Sequence, residues 1–326
     1  MRLVVVMMLA IVLVGTCVSK SVWSAELAFP RKPIRIITPY PPGGANSMLA
    51  RILGQKLTES WGQAVIVDNR PGAGTIVGTD ALVKALPDGY TFMLAGGNLV
   101  LVPLLFPALY DPIKDLMPVA TFARSENVLV IGPTVPVEHF KDLISYAKSK
   151  PGQLNYATPG AGSTQHLAHE LLNLVCDIKT HHIPYKGAGP ALLDLIAGQV
   201  QLYFATTMVT APYVQSGKLK ALGITGTLRS PLLLATPTFS ESGVSGFESA
   251  GTWFGVIAPA RAPLYIVDKM SRQMANYMNT TDFKDTLTHQ GLTSFYSTPA
   301  EFKKVLYNDR ERFSRIIKSA NIKMDH

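Results

Sequence analysis

The feature that most constrains this chain is a short apolar run, Ile34 to Thr38, that passes through a Pro/Gly turn directly into a helical pattern; Tyr40 to Arg51 reads YPPGGANSMLAR. A strand followed at once by a helix start leaves first-turn backbone N–H groups without intrahelical acceptors. Pro41 and Pro42 stiffen the approach, while Gly43 and Gly44 carry no side chains, so a ligand oxygen can reach the backbone. The stretch, Ala45 included, predicts an anion site at a helix N-terminus, with Asn46 or Ser47 as the cap. A second copy lies in the other half of the chain. Leu154 to Glu170, LNYATPGAGSTQHLAHE, runs through Pro159, Gly160, Ala161 and Gly162 into a helix capped at Ser163. Two such starts suggest two jaws closing on one anion.

The chain has 326 residues, 47% hydrophobic and 16% charged, enough for one large domain or two lobes. Its first stretch differs: Arg2, an apolar run from Leu3 to Val14, then small and polar residues to Ala25. That pattern predicts a secretory signal over residues 1–24, cleaved after Ser24 with Val22 three positions back, and an exported, periplasmic protein. The apolar run is too short to span a membrane comfortably. Removal of the segment takes away Arg2 and Lys20, leaving 28 cationic against 22 anionic side chains, a net charge of +6. Cys17 goes with it, although a cysteine there also raises lipidation, for which Thr16 is a poor match. Cys176 is then alone, with no internal disulfide, and its apolar surroundings predict a packing role. Basic residues are scattered without an aromatic stacking platform, so nucleic acid is not expected as a partner. The densest group, Lys303 to Lys323, alternates with Phe302, Leu306, Phe313 and Ile316 as an amphipathic helix with a solvated face.

Strand and helix patterns alternate from Ala64 to Ala95, the signature of a parallel sheet covered by helices, in which ligands sit at the strands' carboxyl ends. This places Gly96, Gly97 and Asn98 beside the opening loop. Val119 to Ile131, interrupted at Arg124 to Asn127, is expected to lead into a second lobe. There Tyr185-Lys186-Gly187 and Ala205-Thr206-Thr207 end further strands, Gly251 to Ala258 crosses back, and the chain from Pro263 reads as helices on the first lobe. The expected division is residues 25–125 plus 253–326 for one lobe and 126–252 for the other.

Eight stretches in order, YPPGGxxxxxAR at Tyr40, NRPGAG at Asn69, DGYT at Asp88, YATPGxGSxxHL at Tyr156, PYKG at Pro184, GQV at Gly198, GKLKAL at Gly217 and WxGxxAP from Trp253, resemble the solute receptors of tripartite tricarboxylate transporters, the Bug receptors. The resemblance covers nearly the whole chain after the leader. It implies an α/β, two-lobed periplasmic binding protein of type II-like architecture, with mixed, mostly parallel sheets and crossing strands at the hinge. Such a protein hands small carboxylates to membrane transporter subunits; a ligand-sensing role and an exported enzyme are the alternatives, and a monomer without cofactor is expected. Carried over residue by residue, the ligand loops are Tyr40 and Pro42 to Ser47, Gly97 and Asn98, Gly160 to His166 with Thr164 and Gln165 between them, Lys186, and Ala205 to Thr207. Ser47 and Ala205 stand where the family usually has aspartate, and Phe313 where it usually has tryptophan. The two missing acids suggest a ligand without an ammonium group, with an apolar body near Ala205, Phe204 and Tyr40.

His166, His169 and Glu170 share a helix but lack the HExxH and HxxEH orders of a zinc site, so no metal is expected. His166 is expected to hydrogen-bond the anion and His169 to face solvent. His181 and His182 alternate across a strand. Neither a GxSxG elbow nor a phosphate-binding GxxxxGK[ST] loop occurs, and the enzyme alternative rests on a cleft alone.

Overall fold

The computed structural model describes residues 29–248, 250–319 and 322, so the predicted leader lies outside the described residues. The chain forms two sheets. The first has six strands in the order β11-β4-β10-β3-β1-β2, and the second five in the order β7-β6-β8-β5-β9. β1 (Ile34–Thr38), β2 (Val65–Asn69) and β3 (Thr91–Ala95) run parallel, whereas β10 (Thr252–Pro259) is antiparallel to β3 and to β4 (Leu116–Ser125). β11 (Thr293–Ser297) pairs antiparallel with β4 at the edge. In the second sheet β6 (Asn155–Thr158), β7 (His181–Pro184) and β8 (Leu202–Thr206) are parallel; β5 (Asn127–Ile131) is antiparallel to β8 and to β9 (Lys220–Ile224). This is the two-lobed α/β fold with mixed sheets.

Helix α1 (Ala45–Trp61) follows β1 and buries Leu49, Ala50, Leu53 and Leu57 in one stripe against the sheet. It ends at Gly62, whose left-handed backbone (φ 67°) lets its N–H bond to the Thr58 carbonyl. α2 (Ile76–Val83) leads to β3, α3 (Asn98–Leu105) follows β3, and α4 (Phe140–Ser149) covers the second sheet. α5 (Thr164–Cys176), α6 (Ala188–Ile196) and α7 (Thr207–Gln215) follow β6, β7 and β8. α8 (Leu264–Met278), α9 (Thr281–His289) and α10 (Pro299–Ser319) complete the first lobe. On α10, Phe302 lies over Gly255 of β10, where a Cβ would come within 2.6 Å of the ring. The same helix supplies Asp309, which accepts from the buried Trp253 Nε1 at 2.7 Å. Phe313 is buried in the core of this lobe.

The chain crosses between lobes at Glu126, the one residue between β4 and β5, and returns at Gly251 before β10. Glu126 takes the Arg124 guanidinium at 2.9 Å and the Thr225 hydroxyl at 3.0 Å. Its carboxylate passes between Gly226 and Gly251, where a Cβ would come within 2.6 and 2.5 Å of it. Asn98–Leu105 forms a helix where the sequence reading assigned no element, and the strand β11 lies within the stretch after Pro263 that reads as helices. Among the described residues, no helix is long and apolar enough to cross a membrane.

Candidate ligand-binding site

Five parallel strands, β1, β3, β6, β7 and β8, end at the face between the lobes. Each is followed by a short loop and a helix, and α1, α3, α5, α6 and α7 all begin there. Their first residues line one chamber of about 150 Å³: Gly44, Ala45 and Asn46 from α1, Asn98 from α3, Thr164 and Gln165 from α5, Ala188 to Pro190 from α6, and Thr206 before α7. Each helix N-terminus carries roughly half a positive charge. The chamber is thus ringed by five partial positive charges held by backbone. Tyr40, Pro41, Pro42, Pro159, Tyr203, Val209 and Phe254 supply its apolar and aromatic walls. Among the described residues, Lys186 is the only ionisable side chain of either sign at its edge besides the two phenols, and it is exposed. Burial holds the Tyr40 and Tyr203 hydroxyls protonated, well above the usual phenol range; at Tyr40 the neighbouring Tyr110 adds to this and a hydrogen bond from Asn98 opposes it.

A second chamber of about 530 Å³ adjoins the first and shares Tyr40, Pro41, Asn98, Pro159 and Lys186 with it. Its outer wall is the 71–75 loop facing Gly160, Ala161 and Ser163. The lobes meet around these chambers. Thr164 N donates to Asn98 Oδ1 at 3.0 Å, and a Cβ on Gly187 would lie 2.6 Å from Pro41.

The structure brings most of the residues expected from the sequence to the faces of the two chambers, but not all of them. Gly44, extended at φ −90° and ψ 167°, is the N-cap of α1, and no side chain caps the helix. Asn46 is therefore in the first turn, lines the inner chamber and is buried, with its Oδ1 lacking a hydrogen-bond partner. Ser47 is buried behind it and accepts from Asn69 Nδ2 at 3.2 Å. Gly43 is exposed at φ 93° outside both chambers. Gly97 is buried, its N–H bonded to Thr252 Oγ1 at 3.3 Å. Ala205 packs in the core at 1% exposure, Phe204 packs on the opposite side of β8, and neither lines the chamber. Thr207 is buried as well, its hydroxyl donating to the Gly291 carbonyl at 3.1 Å. Of β8, it is Tyr203, beside Phe204 on the strand, that lines the chamber, together with Thr206.

The histidines require a correction. His169 does not face solvent: it is fully buried, its ring stacked on Tyr156 at 3.7 Å. His166 turns away from the cleft, stacks on His182 at 4.0 Å, and accepts from the Gly162 N–H through Nδ1. His182 Nε2 pairs with Thr158 Oγ1 at 2.7 Å, and that hydroxyl accepts from Gly160 N–H. Two amides of the α5 loop are thereby drawn back to an imidazole stack instead of forward to the cleft. Burial lowers the pKa of His166 to about 3 and of His182 to about 4, and holds His169 well below its ordinary value. The stack is neutral at pH 7. Tyr156 donates to Glu170 beneath it. Among the described residues no cluster of His, Cys, Asp and Glu is arranged to hold a metal.

The sequence missed Ala188 to Pro190, Tyr203, Val209, Thr252 and Phe254 as lining residues. Gly187-Ala188-Gly189-Pro190 carries the same signal as the two recognised loops, glycine and proline at a helix start, and would have marked the start of α6 as a further lining segment.

The description "Tripartite tricarboxylate transporter family receptor" belongs to a family model that matches residues 49–322. Protein BugT of Bordetella pertussis is 33% identical over 91% of this chain and 91% of its own length. Among solved structures, Rpa4515 of R. palustris with adipate superposes with a TM-score of 0.87 at 31% identity, covering 90% of this chain and 99% of that one. MatC of Rhodopseudomonas palustris with bound malate does so with 0.83 at 28%, covering 89% and 100%. With its two lobes and a chamber ringed by helix N-termini, this chain belongs to the tripartite tricarboxylate transporter family of receptors.

Proposed function

We propose that the protein is a periplasmic solute receptor that captures a small carboxylate in the inner chamber and delivers it to membrane subunits of a tripartite tricarboxylate-type transporter. The observation that carries this is the convergence of five helix N-termini on a chamber without one acidic side chain. First-turn amides and the positive ends of helices favour a carboxylate oxygen over any cation. The complexes of two relatives with adipate and malate support the same chemistry. The ligand residues are those that line the inner chamber, with Gly160, Ala161 and Ser163 guarding the outer one. The lobes divide at Glu126 and Gly251, residues 1–24 are the export signal, and no catalysis is assigned.

Calorimetry against a panel of small mono- and dicarboxylates tests the proposal. The control is Gly189→Leu: Gly189 lines the chamber and a Cβ there meets nothing within 4 Å, so a bulky side chain is added at the chamber wall without a clash at its Cβ. The expected result is binding by the unaltered protein and its loss in the variant, with unchanged melting in the absence of ligand. Binding that survives Gly189→Leu places the ligand elsewhere.

A further inference from the structure

A further cavity, of about 260 Å³, lies at the crossing between the lobes and shares no residue with either chamber of the cleft. Alternate residues of one segment face the two sites: Thr252 and Phe254 line the inner chamber, and Gly251 and Trp253 line this cavity. Its polar lining is Arg124 of β4 with Asn308, Asp309, Arg312 and Arg315 of α10. Three arginines thus meet one aspartate, and that aspartate is already engaged. Asp309 accepts from Trp253 Nε1 at 2.7 Å and from Arg312 at 2.8 Å. Arg124 is balanced by Glu126, at 2.9 Å from its Nε. Among the described residues Arg315 makes no hydrogen bond or ion pair, so one positive charge is left uncompensated.

The donors are as lightly used as the charge. A guanidinium carries five N–H groups in a planar fork. Among the described residues, Arg124 spends Nε on Glu126 and one terminal nitrogen on the Glu248 carbonyl, at 3.4 Å, while Arg312 spends one nitrogen on Asp309. Arg124 and Arg312 are half-buried, where water screens their mutual repulsion less than it does at the surface. An anion relieves that repulsion and meets forks whose spacing suits paired oxygens.

We propose that this cavity is a second anion site, separate from the cleft, which takes a small oxyanion (sulfate, phosphate or a carboxylate group) between Arg124, Arg312 and Arg315. Exposed Arg315 stands at its rim, and Trp253 forms its wall. Arg124 also holds Glu126, the single residue between β4 and β5, so an occupant bears directly on a lobe crossing. The proposal does not depend on the carboxylate reading of the cleft.

The test titrates inorganic sulfate into the full protein by calorimetry, with chloride at equal ionic strength as the reference for screening. Three variants locate the ion. Arg315→Glu removes one exposed ion pair and adds a repulsion of similar size, so sulfate should bind about tenfold more weakly or worse. Asn308→Asp sets a carboxylate one turn before Arg312 and should weaken sulfate in the same direction. Both positions are exposed on α10, and an unchanged melting temperature without sulfate checks the fold. Gly189→Leu, which adds bulk at the inner chamber, should leave this site unchanged. The expected result is a saturable sulfate site with that pattern. A response that chloride reproduces, a site indifferent to both α10 variants, or one lost in Gly189→Leu overturns the proposal, and none of these touches the carboxylate reading.

Discussion

Among the described residues Lys186 is the only side-chain cation at the chamber, and charge counting would make it the main anchor of an anion. The structure argues the opposite. Lys186 is exposed, and an exposed ion pair contributes about 0.2–1 kcal/mol because water and salt screen it. Five helix N-termini at about 0.3–1 kcal/mol each supply roughly 1.5–5 kcal/mol, and each amide that bonds a carboxylate adds about 1.5–3. Lys186→Met should therefore weaken the tightest acid of the panel only about 1.4- to 5-fold. The loss should shrink further in high salt, where the cation is already screened. The contrasting variant is Ala45→Pro, which deletes the first amide of α1. Gly44 before it is extended, as a residue preceding proline must be, and proline is well accepted at the first helical position. Losing one charge-assisted hydrogen bond should cost about 1.5–3 kcal/mol, roughly 10- to 150-fold. Ala45→Val, of similar bulk with its N–H retained, controls for volume. Isothermal calorimetry at low and high salt reads all three. A larger loss in Lys186→Met than in Ala45→Pro would refute a site built on backbone dipoles.

Gly78→Ala should destabilise the first lobe. Its Cβ would sit 2.7 Å from Pro39 Cβ and 2.9 Å from the Arg70 carbonyl, and overpacking of about 1–3 kcal/mol outweighs a helix-propensity gain of up to about 1; a urea midpoint equal to or above that of the unaltered protein would contradict this. The imidazole stack should make stability pH-dependent. The folded pKa values of His166 and His182 are depressed below 6.5, so the unfolded chain takes up protons first as pH falls. Their contribution is complete above about 6.5 and is lost as pH drops towards 4 and 3, at up to about 1.4 kcal/mol per pH unit for each histidine. His182→Gln should flatten the slope of unfolding free energy against pH by up to that amount in the window from about 6 to 4.5, and parallel slopes would exclude the stack as the cause.

The sequence made the fold legible through repetition: apolar runs ending in Pro/Gly turns before helices specify strand, loop and helix wherever they occur. Tyr40 to Ser47 and Gly160 to Gln165 were read in this way. α3 was not, because Asn98 to Leu105 is apolar on all sides and contains Pro103, so it shows no helical periodicity. The faces of β8 were equally illegible. All five of its residues are buried, so alternation could not separate Tyr203, which reaches the chamber, from Phe204 and Ala205, which do not. The burial of His169 comes from ring stacking with a residue thirteen positions away, which local pattern cannot encode. The cap of α1 lies two or three residues before its expected place. Asn46 and Ser47 are good capping residues, but Gly44 already has the extended backbone that begins the helix.

The placement of the five N-termini bears on release as much as on capture. α1 and α3 belong to the six-stranded lobe, and α5, α6 and α7 to the five-stranded one. Their field is complete only while the lobes are together. The lobe contacts consume little of it. Thr164 N is spent on Asn98 Oδ1, but the first-turn amides of Ala45 and Asn46 have no intrahelical acceptor and no side-chain cap competing for them. On the carboxylate reading, separating the lobes at Glu126 and Gly251 divides five aligned helix ends into two and three and admits water, which screens both sets. Affinity can then fall steeply through a rigid-body motion alone, with no proton transferred and no side-chain cation withdrawn. A site whose charge resided mainly in Lys186 would gain much less from that motion, since the lysine is already in water.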